Sequence, residues 1–93
     1  MATAVVFTVR AERKLMKIIG FIAQDDPVAA FRVVEDLRKR VNETLTVFPD
    51  AGSMTPGGQR QFAVRRYTFI YRHDAAKREV VVLNVFGPGE DWR

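Results

Sequence analysis

The chain has 93 residues, enough for one domain with a small core and little stability to spare. With 47% hydrophobic and 28% charged residues it is a folded globular chain and not a disordered one. Fifteen Lys and Arg against eleven Asp and Glu give a net charge of +4, which permits nucleic acid or an acidic protein as partner and selects neither. There is no cysteine, so disulfides and thiolate metal sites are excluded. No apolar run reaches the roughly 18–20 residues of a membrane span, and Met1–Val9 lacks the pattern of a signal peptide. The expected location is the cytoplasm.

In chain order, Ala4–Val9 is β-branched and aromatic, and predicts a first strand. Leu15, Ile18, Ile19 and Ile22 then recur at helical spacing with Lys14 and Lys17 largely opposite, which predicts an amphipathic helix over Ala11–Ala23. Asp25-Asp26-Pro27 is the clearest boundary. Asp26 can cap the next helix, and Pro27 suits its first position, where a missing N–H costs nothing. That helix carries Ala30, Val34, Leu37, Val41, Leu45 and Phe48 inward, and Arg32, Glu35, Lys39 and Glu43 outward. The two helices form a hairpin whose apolar face must lie on a sheet.

Pro49 ends the second helix. From there to Gln59 the prolines and glycines predict a loop with little structure of its own, longer than most connections. Arg60–Arg72 holds two runs that alternate at period 2, and Val80–Phe86 is nearly continuous in apolar residues. These are three strands with short connections, an antiparallel meander. Gly87-Pro88-Gly89 breaks the last strand.

Little in the chain suggests catalysis. His73 is the single histidine, and with Asp74 it reads as a polar turn and not as a general base. No carboxylates cluster at ligand spacing, so no metal or cofactor is expected. Gly57-Gly58 precedes a strand and therefore offers no helix N-terminus to an anion. Tyr67, Phe69 and Tyr71, at strict period 2, read as a buried sheet face in preference to a stacking platform for bases. Arg60, Arg65, Arg66 and Arg72 have three readings: a grip on phosphates, a grip on partner carboxylates, or a solvated sheet that resists aggregation. Trp92 either anchors the tail or meets a partner.

The order of elements, Asp25-Asp26-Pro27 with Ala29-Ala30, Phe48-Pro49-x-x-Gly52, Tyr67-Thr68-Phe69-Ile70-Tyr71-Arg72 and a final strand before Asp91-Trp92 resemble the ParE/RelE superfamily of bacterial toxins over nearly the whole chain. The resemblance implies an α+β fold of order β-α-α-β-β-β, with the N-terminal strand and helical hairpin packed on a small antiparallel sheet. It also implies a type II toxin–antitoxin role, in plasmid stabilisation among others, with a cognate antitoxin as partner. RelE-like members cleave messenger RNA on the ribosome and carry an arginine early in the strand that holds Thr68 here. Many also carry a histidine, tyrosine or arginine just after the last strand, where this chain has Phe86-Gly87-Pro88-Gly89. ParE-like members lack these groups, and the better-studied ones inhibit DNA gyrase by protein contact. Their last strand often runs into a histidine-glycine pair, replaced here by Phe86-Gly87. The chain thus resembles the ParE-like branch, with no catalytic residue expected. The alternatives are a RelE-like ribosome-dependent messenger RNA endonuclease and a non-toxic member that acts only in a repressor complex with its antitoxin. Direct nucleic-acid binding is not expected without a partner. Arg60, Arg65, Arg72, Trp92 and Arg93 are the candidates for recognising target or antitoxin.

Overall fold

A computed structural model of the chain describes residues 3–90. The elements are β1 (Ala4–Phe7), α1 (Val9–Ala23), α2 (Pro27–Val47), β2 (Ser53–Met54), β3 (Arg60–Val64), β4 (Tyr67–Asp74) and β5 (Glu79–Phe86). They build one five-stranded sheet in the order β1-β5-β4-β3-β2, with the helical hairpin on one face. The meander β3-β4-β5 is antiparallel as the alternation predicts. The sheet as a whole is mixed, because β1 lies parallel to β5 at its edge, Ala4 opposite Glu79 and Phe7 opposite Val82.

The first helix begins two residues earlier than its apolar spacing predicts, and Thr8 is the cause. Its hydroxyl accepts from the Ala11 amide at 3.1 Å and donates to the Leu83 carbonyl at 3.1 Å. One side chain thereby caps the helix and pins the strand-to-helix switch to β5. Val9, assigned to the strand from its β-branching, falls in the first helical turn and is exposed. At the second helix Asp26 accepts from the Ala29 amide at 3.1 Å with Pro27 just inside, as the boundary triplet predicts. Phe48 departs from expectation. It is the C-cap, where the chain has left helical geometry, and it is 64% exposed.

The core lies between hairpin and sheet. Leu15, Leu37, Val41 and Leu45 of the helices meet Phe69, Tyr71, Val80, Val82 and Val85 of the sheet, all fully buried. Each such side chain contributes about 1.5–3 kcal/mol relative to exposure. Phe69 and Tyr71 are core, and Tyr67 is half-buried at its rim. Val82 and Val85 could not both face the helices in a regular strand, being three residues apart. A bulge solves this: Tyr71 pairs with Val82 and Ile70 with Asn84, so Leu83 is the extra residue and the alternation resets.

The segment after α2 is more structured than its composition predicts. Ser53 and Met54 pair with Gln61 and Arg60, and Gly58 donates to the Thr55 carbonyl across a turn. Gly52 is buried, and its amide donates to the Tyr71 hydroxyl at 2.9 Å. That hydroxyl donates in turn to the Pro49 carbonyl at 2.8 Å. A Cβ on Gly52 would sit 2.5 Å from the Gln61 carbonyl oxygen and 2.8 Å from the Tyr71 ring. The Pro49-x-x-Gly52 spacing is therefore a seat for Tyr71.

Candidate partner-binding site

Strand register decides where each basic group points. Arg60 is opposite Tyr71, so it faces the helix layer, where it donates to the Gly52 carbonyl at 2.8 Å and pairs with Asp50 at 3.3 Å. His73 is also on Asp50, its Nδ1 2.9 Å from the carboxylate. It stands inside β4 and not at the turn that the sequence suggested. Arg60, Asp50 and His73 together hold the segment after α2 against the sheet.

Arg65 and Arg66 form the two-residue turn between β3 and β4. Arg65 has φ 57° and reaches back to Asp36 on α2 at 3.0 Å, an oxygen shared with Arg40. The two guanidiniums, that of Arg40 foremost, hold the Asp36 carboxyl below its usual range. Arg72 is opposite Val81, on the sheet face away from the helices, and is exposed. The three candidates among the described residues therefore do not converge. Arg60 and Arg65 are engaged within the fold, Arg72 is offered on the open face, and Trp92 and Arg93 lie outside the described residues.

The open sheet face carries Gln61, Ala63, Thr68, Ile70, Arg72 and Asn84 from the three long strands. Thr68 is half-buried between Ala63 and Phe86. Arg72 is the only cation among the described strand residues on this face, so these strands offer a phosphate one positive group.

A groove of about 510 Å³ lies elsewhere, between the flank of α1 and the ends of β4 and β5. Ile18, Phe21, Tyr67 and Pro88 supply its apolar walls, with Lys14 and Lys17 at the rim. Phe21 is 76% exposed, a large aromatic left for something to cover. Glu90 folds over one end. It pairs with Lys14 and accepts from the Gly87 amide at 2.8 Å, and these contacts hold its carboxyl below the ordinary range, Lys14 contributing most. Lys14 also lies 5.2 Å from the centre of the Phe86 ring. A second depression, lined by Val33, Arg65, Arg66, Tyr67 and Pro88, shares Tyr67 and Pro88 with the groove. Lys14 and Lys17 border the first, and Arg65 and Arg66 the second.

The sequence is matched by the model of the family described as ParE toxin of type II toxin–antitoxin system, parDE, over residues 5–92. The chain belongs to the ParE toxin family. Among solved structures it is similar to the chromosomal ParDE toxin–antitoxin system of P. aeruginosa, with TM-score 0.74 and 20% identity over 92% of this chain and 96% of that one. It is also similar to the RelBE2 toxin–antitoxin complex of Mycobacterium tuberculosis, with TM-score 0.75 and 20% identity over 97% and 95%. The isolated E. coli RelE toxin superposes with TM-score 0.65 and 22% identity over 98% and 89%. At these identities the structures establish the shared α+β fold. A search of curated proteins finds no match.

Within this ParE-family chain the sequence pointed to the arginine-bearing strands and missed the groove. Its walls come from α1, β4 and the residues after β5, which no linear pattern brings together. The exposed Phe21, one turn past Lys17 on a helix otherwise apolar on its core side, was the available signal.

Proposed function

We propose that the chain is a ParE-like toxin that acts in the cytoplasm by protein contact on DNA gyrase and is held inactive by a cognate antitoxin. The observation that carries the gyrase reading is Thr68. It occupies the strand position at which the nuclease branch places an arginine, and Arg72 is the one cation on that sheet face among the described strand residues. Metal-free RNA cleavage needs groups that activate the 2′-hydroxyl and stabilise the phosphorane, and a threonine beside one arginine does not supply them. The antitoxin segment lies along the groove past Phe21, Tyr67 and Pro88, and its carboxylates meet Lys17 and Arg66. Arg72, Trp92 and Arg93 belong to recognition of target or antitoxin.

The test uses purified chain, purified gyrase and relaxed plasmid. Supercoiling is expected to fall as the chain is added and to recover when the antitoxin, taken as the product of the adjacent gene, is supplied. Undisturbed supercoiling together with rapid messenger RNA cleavage in induced cells would overturn the gyrase reading. A chain that neither slows growth nor co-elutes with that product would overturn the toxin–antitoxin pairing.

A further inference from the structure

The strand arginines are scattered, but α1 concentrates charge. Arg10, Arg13, Lys14 and Lys17 stand at i, i+3, i+4 and i+7, which places all four within an arc of about 100° on the helix surface. They extend over roughly 10 Å of helix. Glu12 is the one acidic residue of α1, and it points to the other flank, where it binds Arg38 on α2 through paired hydrogen bonds of 2.8 and 2.6 Å. Lys14 is taken by Glu90. Arg10, Arg13 and Lys17 are exposed and form no ion pair or side-chain hydrogen bond among the described residues.

We propose that this stripe is a docking surface for the phosphate backbone of duplex DNA. It is independent of the gyrase reading, and it overlaps the groove at Lys14 and Lys17, which belong to both. Three observations suit the stripe to a DNA backbone. The stripe from Arg10 to Lys17 contains no apolar side chain within its arc, whereas protein interfaces gain affinity from buried aromatic and aliphatic anchors and are poor in lysine. Its cations sit on a rigid helix, and two are guanidiniums, which pair bidentately with phosphate oxygens. The one carboxylate on the arc is that of Glu90, which neutralises Lys14, and the net charge of +4 adds long-range attraction. The stripe has neither Asn nor Gln to read base edges and no aromatic between Arg10 and Lys17 for stacking, so binding is independent of sequence and favours a duplex over a single strand.

Fluorescence anisotropy of a labelled duplex of arbitrary sequence, titrated with the purified chain at several salt concentrations, tests this. Three to four phosphate contacts predict a slope of log K on log salt of about −3, an affinity loss of about 40- to 150-fold between 50 and 200 mM salt. Replacing Arg10, Arg13 and Lys17 together by Gln is expected to remove most of that slope and at least about tenfold of affinity at 50 mM, with the circular dichroism spectrum unchanged. Removing the same charge elsewhere, by Arg32→Gln, Lys39→Gln and Lys77→Gln, is expected to leave the slope intact. Glu90→Gln frees Lys14 and is expected to steepen the slope by about 0.9. The proposal is overturned if the chain fails to bind duplex at 50 mM salt, or if the control triple variant loses as much as the stripe variant. Tighter binding to single-stranded RNA would also overturn it, and binding to polyglutamate without duplex would reassign the stripe to an acidic protein.

Discussion

Replacing Tyr71 by Phe removes one oxygen atom and little else, which makes it the sharpest probe of how the segment after α2 is held. The hydroxyl donates to the Pro49 carbonyl at 2.8 Å and accepts from the Gly52 amide at 2.9 Å, and the side chain is fully buried. Two hydrogen bonds contribute about 1 kcal/mol each, and a buried Gly52 N–H left without an acceptor adds a desolvation penalty, for a total of about 2–3 kcal/mol. For a domain of this size that corresponds to a fall in melting temperature of about 10–20 °C. Urea denaturation followed by circular dichroism measures it directly, with m expected to be unchanged because the same surface is exposed. The alkaline limb supplies a second reading. Burial raises the Tyr71 pKa above its ordinary value of 10.0, partly offset by the Gly52 amide. The native state then holds this proton where the unfolded state has lost it, so the contribution is complete below pH 10 and is lost as pH rises through the folded value. The difference between wild type and Tyr71→Phe should therefore narrow above about pH 10. A loss below about 0.5 kcal/mol at neutral pH would show that Pro49-x-x-Gly52 is not seated by this hydroxyl.

Other substitutions test neighbouring parts of the structure. Gly52→Ala would place a methyl against the Gln61 carbonyl and the Tyr71 ring, and is expected to destabilise by about 2 kcal/mol or more. Combined with Tyr71→Phe it should cost less than the sum, because both break one contact; thermal melts of the single and double variants decide it. Arg78 is exposed with φ 50°, so Arg78→Gly should stabilise by up to about 1 kcal/mol, whereas Arg65→Gly should be nearly neutral because it also gives up Asp36. Chemical denaturation separates these two outcomes. Hydrogen bonding to Arg38 holds the Glu12 carboxyl below its usual 4.5, so its stabilisation is present above that value and is lost as pH falls through the lower folded value. Glu12→Gln should lose less than about 1 kcal/mol at pH 7, since both partners are more than a third exposed, and should show a flatter acid limb in pH-dependent melts.

The sequence disclosed elements whose signals are local. Asp26 and Pro27 mark their helix start because capping involves residues three apart, and the β4 alternation survives because Phe69 and Tyr71 both face the hairpin. Features that depend on distant partners were not legible. Val9 looks like strand until Thr8 is seen to bond Leu83, 75 positions away. The segment around Gly52 looks like loose loop until Tyr71 and Arg60 arrive to hold it. The same limit applied to the site. Arg60, Arg65 and Arg72 read as one cluster in the linear chain, but register sends Arg60 inward, turn geometry ties Arg65 to α2, and Arg72 alone faces out from the sheet. The α1 stripe is legible at its i, i+3, i+4, i+7 spacing.

The pairing of β1 with β5 has a consequence for the moment of birth. Ala4 leaves the ribosome early, but its partner Glu79 is made 75 residues later. Until then the helical hairpin has no completed sheet to cover, and the apolar side chains of α1 and α2 must wait. The loop closed by this pairing is nearly the whole chain, so folding on the ribosome is expected to finish only after β5 has emerged from the exit tunnel. A chain cut short anywhere before β5 would lack both its first strand pairing and the Pro88 wall of the groove. Incomplete products would thus lack the groove, and the finished protein would acquire it in a single late step.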